Sequence, residues 1–275
     1  LAGCATNRTP QFSYDASVPP LPTVQAAVTD DTPRPLHTPP AWTVARGGAG
    51  TIVSEAVRVH PMDAVTPGAI ALFDRKSVRS LRKISNAIHD AGSLFIVQLN
   101  HGGRQHLGRR VGTLLAPSAI ACPRSGGMPH AMTTRQVEQM VEYFLAAAVH
   151  AREADADGVE IHGAQGHLIG QFTSPYSNRR EDRYGGSLEN RLRFALMVHE
   201  AIRRAVGDDF VVGIRYVVDE GGTDGLNADE ALEIAQMVQA EGHIDLFDCI
   251  YGRMDSDLLL TEDNMPGMFQ PSAPY

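Results

Sequence analysis

The sequence predicts an α/β protein: a (β/α)8 (TIM) barrel that this chain does not complete. Three observations carry that expectation. From Ala45 onward, short β-branched apolar runs alternate with segments of helical period. The strand-like runs are apolar almost throughout, as strands of a parallel sheet covered by helices are. Glu55, Gln98, His101, His162 and Arg215 fall at or just after the C-terminal ends of successive strands, and in a barrel those ends converge on one mouth. The alternative is an open doubly wound sheet. No Gly-x-Gly-x-x-Gly follows a strand here, so its dinucleotide-binding form has no support.

The elements follow in order. Residues 50–55 (Gly-Thr-Ile-Val-Ser-Glu) read as a strand. Asp74 to Ala91 reads as a helix with Val78, Leu81, Ile84 and Ile88 on one face, capped by Asp74 and stopped by Gly92. Leu94 to Leu99 is the next strand. A helix from about Thr134 to Ala154 takes Thr133 as its N-cap. Gly158 to His162 is a third strand, and Ser187 to Val206 is a helix ended by Gly207. Phe210 to Arg215 is a fourth strand. Asn227 caps a helix that runs to Glu241, and Ile244 to Ile250 is a fifth strand.

The chain has 275 residues, enough for one large domain or two small ones. Its net charge of −8 gives no electrostatic reason to expect nucleic acid. No stretch of 18 apolar residues is present, so no transmembrane helix is expected. Cys4, Cys122 and Cys249 are far apart and form no Cys-x-x-Cys pair, a usage that fits a reducing cytoplasm. Residues 1–43 hold 8 of the 17 prolines and 1 of the 26 glycines, and read as an irregular arm. Leu1-Ala2-Gly3-Cys4 has the form of a lipoprotein cleavage box, but without a charged and apolar stretch before it chance is the better reading. The expected organisation is therefore an arm over 1–43, a barrel portion over 44–251 and a post-strand loop over 252–275.

Several residues invite chemistry. Gln98 ends a strand and leads into Asn100-His101-Gly102-Gly103-Arg104; its amide offers a donor and an acceptor to an imide-like edge. The two glycines admit a planar ligand close to the backbone. His162 and Gln165 lie three apart, and a helical turn would aim both at one point, where two neutral donors polarise a carbonyl or hold an anionic oxygen. His167 is placed to deliver a proton from another angle. Arg215 ends an apolar strand and needs an anion or acceptor, with Glu55 or Glu160 as the structural alternative. Residues 174–191 read as a loop pinned by arginine–carboxylate pairs. No metal site is expected: there is no His-Glu-x-x-His and no Cys or carboxylate at ligand spacing.

These motifs resemble the old yellow enzyme family of FMN-dependent ene-reductases and NADH:flavin oxidoreductases. The matching segments are Ala45 to Gly50 with Ser54-Glu55-Ala56, Gln98 to Arg104, and His162 to Leu168. The most specific run is Gln171 to Pro175 through Asn178-Arg179-Arg180, Asp182, Tyr184 to Ser187 and Glu189-Asn190-Arg191. The tail around Gly252, Met254 to Ser256 and Met265 to Phe269 is similar to the larger dienoyl-reductase and amine-dehydrogenase branch.

The resemblance implies FMN across the barrel mouth and NADH or NADPH as reductant. Ala56 and Gln98 would contact the isoalloxazine, and Arg215 its N1/O2 edge. His162 and Gln165 would hold the substrate oxygen, and His167 stands where the family usually has a tyrosine proton donor. It implies hydride transfer through flavin N5 from a nicotinamide or an amine to an acceptor such as an α,β-unsaturated carbonyl. The partner is then a small molecule, with neither nucleic acid nor membrane, and a homo-oligomer is compatible.

Three departures from the family bear on function. His167 replaces tyrosine, which changes the pH profile or marks a branch that oxidises amines and protonates no carbon. Gln165 replaces Asn or His. The first strand is unmatched within residues 1–43, whose composition suits translation in a wrong frame, and the last strands are missing, so an iron–sulfur cluster and a second nucleotide domain belong only to a longer parent chain. The alternatives are a non-catalytic remnant of such an enzyme, or a flavin-free aldolase or isomerase. The second lacks a lysine in the mouth, since Lys76 and Lys83 sit on one helix.

Overall fold

The computed structural model describes residues 41–63, 70–105, 113–221 and 223–253. In chain order the helices are α1 (Ala41–Arg46), α2 (Val78–His89), α3 (Thr134–Glu153), α4 (Leu168–Thr173), α5 (Leu188–Val206) and α6 (Ala228–Glu241). The strands are β1 (Thr51–Val53), β2 (Val57–Arg58), β3 (Leu94–Asn100), β4 (Leu115–Ala116), β5 (His130–Ala131), β6 (Gly158–Gly163), β7 (Val211–Asp219) and β8 (Leu246–Tyr251). A parallel sheet runs β1-β3-β6-β7-β8, with β2 also on β3, and β4 pairs with β5 in a separate parallel pair. Helices between successive parallel strands form the crossover connections of an α/β barrel. Among the described residues the sheet is an open arc of that barrel.

Register explains both faces of the sheet. Val97, Leu99, Val159, Ile161, Val212 and Ile214 alternate with the residues on the other face, and all are buried in the main core cluster or beside it. They meet α3 and α5, whose Val137, Phe144, Ala148, Phe194, Val198 and Ile202 are also buried. The inner face carries Gln98, Glu160, His162 and Arg215 toward the C-terminal ends. Side-chain alternation thus separates an apolar wall from a polar interior.

The helix signals work as the residues dictate. Thr133 accepts from Gln136 N while the Gln136 side chain bonds back to Thr133 N, closing a capping box. Ser187 caps α5 and Asn227 caps α6, and Gly242 ends α6 in the left-handed region at φ 70°. Asp74 caps not α2 itself but a single 3-10 turn, Arg75–Ser77, that leads into it.

Four details depart from the sequence expectation. Residues 41–43, assigned to the arm, already belong to α1; residues 1–40 lie outside the described residues, as does the tail from 254. The expected strand over 50–55 is broken: Ser54–Ala56 separates β1 from β2, and the Ser54 hydroxyl accepts from Gln98 N where a ladder carbonyl would otherwise stand. Strand β7 continues four residues beyond Arg215, carried by its pairing with β8. Helix α4 was not expected, because a six-residue turn of helix leaves no periodic signature.

Helix α5 buries a titratable group, His199. His199 is 1% exposed, and neither ring nitrogen has a hydrogen-bond partner among the described residues. Burial first, then His243, push its pKa down to about 3. The folded protein therefore holds it neutral while the unfolded chain binds a proton below the ordinary value of 6.5. Stability is expected to be full above that value and to fall by about 1.4 kcal/mol per pH unit per proton on acidification. Denaturant midpoints at about pH 7.5 and pH 5 should show the loss, and His199→Leu should remove one proton's share of the slope.

Candidate active site

The strand ends carry two layers of polar side chains. In the deeper layer Gln98 and Glu160 are register partners, and Gln98 Nε2 donates to Glu160 Oε1 at 2.6 Å. Glu160 is fully buried, and burial raises its pKa, opposed by the Gln98 bond and by Arg215. In the upper layer His162, Arg215 and Asp248 stand side by side on β6, β7 and β8. Arg215 Nε lies 3.6 Å from Asp248 Oδ2, with the side chains 31% and 42% exposed. An exposed pair of that length contributes little stability. The pairing of Arg215 with Glu55 is not formed: Glu55 is exposed in the break after β1, and Asp248 takes the role through the β7–β8 register. Glu160 acts on Arg215 only through its field.

Two loops above these layers are tied to each other. Gln171 on α4 is fully buried. Its Oε1 accepts from Arg104 N at 3.1 Å, and its Nε2 donates to Gly102 O at 3.0 Å and Gly166 O at 2.7 Å. One amide thus clamps the loop after β3 to the loop after β6. Leu168 N donates to His101 O at 2.9 Å, and Gln105 Nε2 donates to Gln165 O at 3.1 Å. Gly103 has φ 65°, and a Cβ there would run into the Gln171 amide, so the position requires glycine twice over. Asp63 Oδ1 accepts from Gly102 N at 3.0 Å.

His162 and His167 meet above Arg215, their ring centroids 4.3 Å apart. The helical turn expected for His162 and Gln165 does not form. His162 ends β6, and Gln165 sits at φ 54° in the left-handed region, bridged to Arg253. Gln165 is nevertheless close enough to His162 to oppose, by raising, the fall in its pKa. Burial, His167 and Arg215 hold His162 well below the ordinary histidine range. Burial takes His167 down to about 4, with Asp63 opposing and His101 and Arg215 reinforcing the shift. Both imidazoles are neutral near pH 7. Ala56 is half-buried in the β1–β2 break, one strand over from Gln98.

The loop over 174–191 is pinned as expected. Arg180 pairs with Asp182, Arg183 with Glu138, and Arg191 with Glu230. Asn178 donates to both Phe172 O and Tyr184 O. Two guanidiniums approach the Tyr176 ring, that of Arg104 at 4.9 Å and that of Arg253 at 3.9 Å from its centroid. Asp248, Gln171 and Asp63 escaped the sequence reading as site residues. Asp248 alone had a legible signal: alternation along a strand puts it on the face of a polar interior.

The sequence profile of the NADH:flavin oxidoreductase / NADH oxidase family matches residues 39–254. The chain belongs to this family. It is 42% identical over 200 residues to the multifunctional alkene reductase/demethylase of Caballeronia cordobensis, covering 72% of this chain and 29% of that protein. The chain thus spans less than a third of that relative's length. A solved 2-naphthoyl-CoA reductase superposes with a TM-score of 0.75 at 30% identity, covering 82% of this chain and 38% of that one. Histamine dehydrogenase from Rhizobium sp. 4-9 superposes with a TM-score of 0.70 at 31% identity, covering 79% and 33%.

The family's flavin is FMN and its reductant a nicotinamide. The residues present suit that cofactor. Arg215 Nε and Glu160 Oε2 are buried and lack hydrogen-bond partners among the described residues. One hydrogen of the Gln98 amide goes to Glu160, which leaves its carbonyl and second hydrogen for a pyrimidine-like edge. Among the described residues no group of three or more His, Cys, Asp or Glu is placed to hold a metal ion, and no helix is long and apolar enough to cross a membrane.

Gln171→Leu keeps the volume and removes the clamp. It is expected to lower unfolding free energy by at least about 2 kcal/mol, since one N–H and two carbonyls lose their partner. Gly103→Ala should act in the same direction through the clash. Urea titration of both variants checks the expectation.

Proposed function

We propose that this chain is the FMN-holding part of an oxidoreductase. It takes reducing equivalents from NADH, NADPH or an oxidisable amine and passes them to an acceptor such as an α,β-unsaturated carbonyl. The observation that carries the proposal is the convergence of His162, Gln165, His167, Gln98 and Arg215 on one end of one parallel sheet. Bound FMN supplies the hydride chemistry at its N5. Gln98, Ala56 and Arg215 hold the flavin, with Arg215 setting a positive charge beside it. His162 and Gln165 hold the substrate oxygen with neutral donors and stabilise charge that develops there. Because burial keeps His162 and His167 uncharged, this donor set persists from basic pH down to well below the ordinary histidine range.

His167 separates two substrate classes. Reduction of an unsaturated carbonyl needs a proton at the α-carbon, and a neutral imidazole is a poor source of one. Oxidation of an amine needs no carbon protonation. The neutrality of His167 therefore favours the amine as donor substrate. The names of the alkene reductase/demethylase and of histamine dehydrogenase supply both classes among similar proteins.

Two experiments test this. The purified 275-residue chain, incubated with FMN and desalted, is expected to keep the flavin absorption band. Arg215→Ala is expected to weaken FMN binding about tenfold or more, that is by about 1.4 kcal/mol. A wild-type chain that keeps no flavin overturns the proposal for this chain. In flavin-loaded protein, His167→Tyr is expected to raise turnover of an enone by about tenfold or more while leaving N-methylamine oxidation within a few-fold, since it supplies an acid that the imidazole is not. An unchanged enone rate counts against the assigned role of His167.

A further inference from the structure

The proposed reaction uses Gln98 and gives no role to the carboxyl beside it. Glu160 on β6 is the register partner of Gln98 on β3, and the two are 0% and 5% exposed. Gln98 Nε2 donates to Glu160 Oε1 at 2.6 Å. On its other side Glu160 faces Gly213 across the β6–β7 ladder, a residue with no side chain to bond it. The Gln98 backbone is fixed separately, since its N donates to the Ser54 hydroxyl at 3.0 Å. Taking a carboxyl out of water is costly. A buried glutamate at this depth of a barrel, where packed apolar side chains would serve, therefore calls for a role.

We propose that Glu160 is a positioning residue: by accepting from Gln98 Nε2, it turns the Gln98 amide so that the amide oxygen is presented to the ligand. A primary amide has two ends of nearly equal shape and opposite hydrogen-bond sense. Rotation about its last torsion is broad, so an unheld glutamine shows either end. A carboxylate accepts and does not donate, so it bonds the nitrogen end alone. The charged groups beside Glu160 are Arg215 on β7 and Asp248 on β8. Burial first, then Asp248, draw Glu160 toward its neutral form, while the Gln98 bond and Arg215 draw it toward the carboxylate. A proton taken up on Oε2, which has no hydrogen-bond partner among the described residues, leaves Oε1 accepting. The Gln98 amide thus keeps one orientation in both forms.

The chemical consequence rests on the reading of Gln98 as meeting the flavin's pyrimidine edge. An amide oxygen held toward that edge selects a ligand that donates an N–H there. The imide N3–H of FMN is such a donor. In the reverse orientation the amide would meet that N–H with its own, two donors face to face. Glu160 therefore sets which hydrogen-bond pattern the mouth reads, and does so from behind Gln98.

Two measurements test it, and the first needs no flavin. In the full chain labelled with 15N-glutamine, the Gln98 side-chain amide is expected to show two well-separated hydrogens, the bonded one shifted downfield. Gln98→Leu identifies that pair by its loss. Glu160→Leu is expected to bring the two shifts together. In the second, FMN and N3-methyl-FMN are titrated into the same proteins. The methylated flavin is expected to bind wild type at least about tenfold more weakly than FMN, and Glu160→Leu to shrink that ratio to about threefold or less. A Glu160 that merely supports the fold would weaken both flavins alike, and a ratio left unchanged overturns the proposal. So does a Gln98 amide whose shifts Glu160→Leu leaves in place. Glu160→Gln, which offers Gln98 either end of an amide, is expected to move both readings in the same direction by less. Should Glu160→Leu fail to fold, that variant decides. A chain that binds neither flavin sinks the oxidoreductase reading, while the amide spectrum still decides the bond to Glu160.

Discussion

The primary amide of Gln171 is the contact on which the site depends. It is fully buried on a helix of only six residues, yet it bonds three backbone groups of two different loops. Those loops carry His101 and Arg104 on one side and Gln165 and His167 on the other. A side-chain amide suits this task because it offers donors and an acceptor in one rigid plane. Gly103 pairs with it: the absence of a Cβ lets the backbone approach the amide, and φ 65° lets the loop turn there. The geometry above the strands is thus a consequence of one buried hydrogen-bond hub.

Below the hub the barrel interior sorts its electrostatics by depth. The deeper layer holds a carboxyl that burial pushes toward its neutral form, bonded by Gln98. The upper layer holds a guanidinium still partly wet, with a carboxylate at its side. The two histidines above it are neutral because desolvation and the nearby positive charge act in the same direction. A site of this kind places one fixed positive charge among neutral donors. Such an arrangement suits a ring or oxygen on which negative charge develops.

Much of the fold was legible for local reasons. Thr133, Ser187, Asn227 and Gly207 are helix signals that act within four residues, and the structure uses each of them. Gln98, His162 and Arg215 were legible because strand ends in a parallel α/β fold point one way. Other features escaped for equally physical reasons. Asp248 meets Arg215 only through the β7–β8 register, and the break at Ser54–Ala56 is set by a hydroxyl bonding a neighbouring strand. The helical spacing expected of His162 and Gln165 is not there; Gln165 instead takes a left-handed backbone just past the end of β6.

The sequence by itself determined the alternation of strands and helices, the caps, the family motifs and which polar types lie at the strand ends. Those follow from period, turn chemistry and residue identity, all of which are local. The tertiary structure alone decided which side chains face one another, which are dry and which protons they keep. Pairing across strands and loops brings together residues 60 to 70 positions apart, such as Gln98 with Glu160 and Gly102 with Gln171. The charge state of His167 depends on Asp63, His101 and Arg215, which reach it from three separate segments. No local pattern encodes that field, because it is a sum over neighbours that only folding assembles.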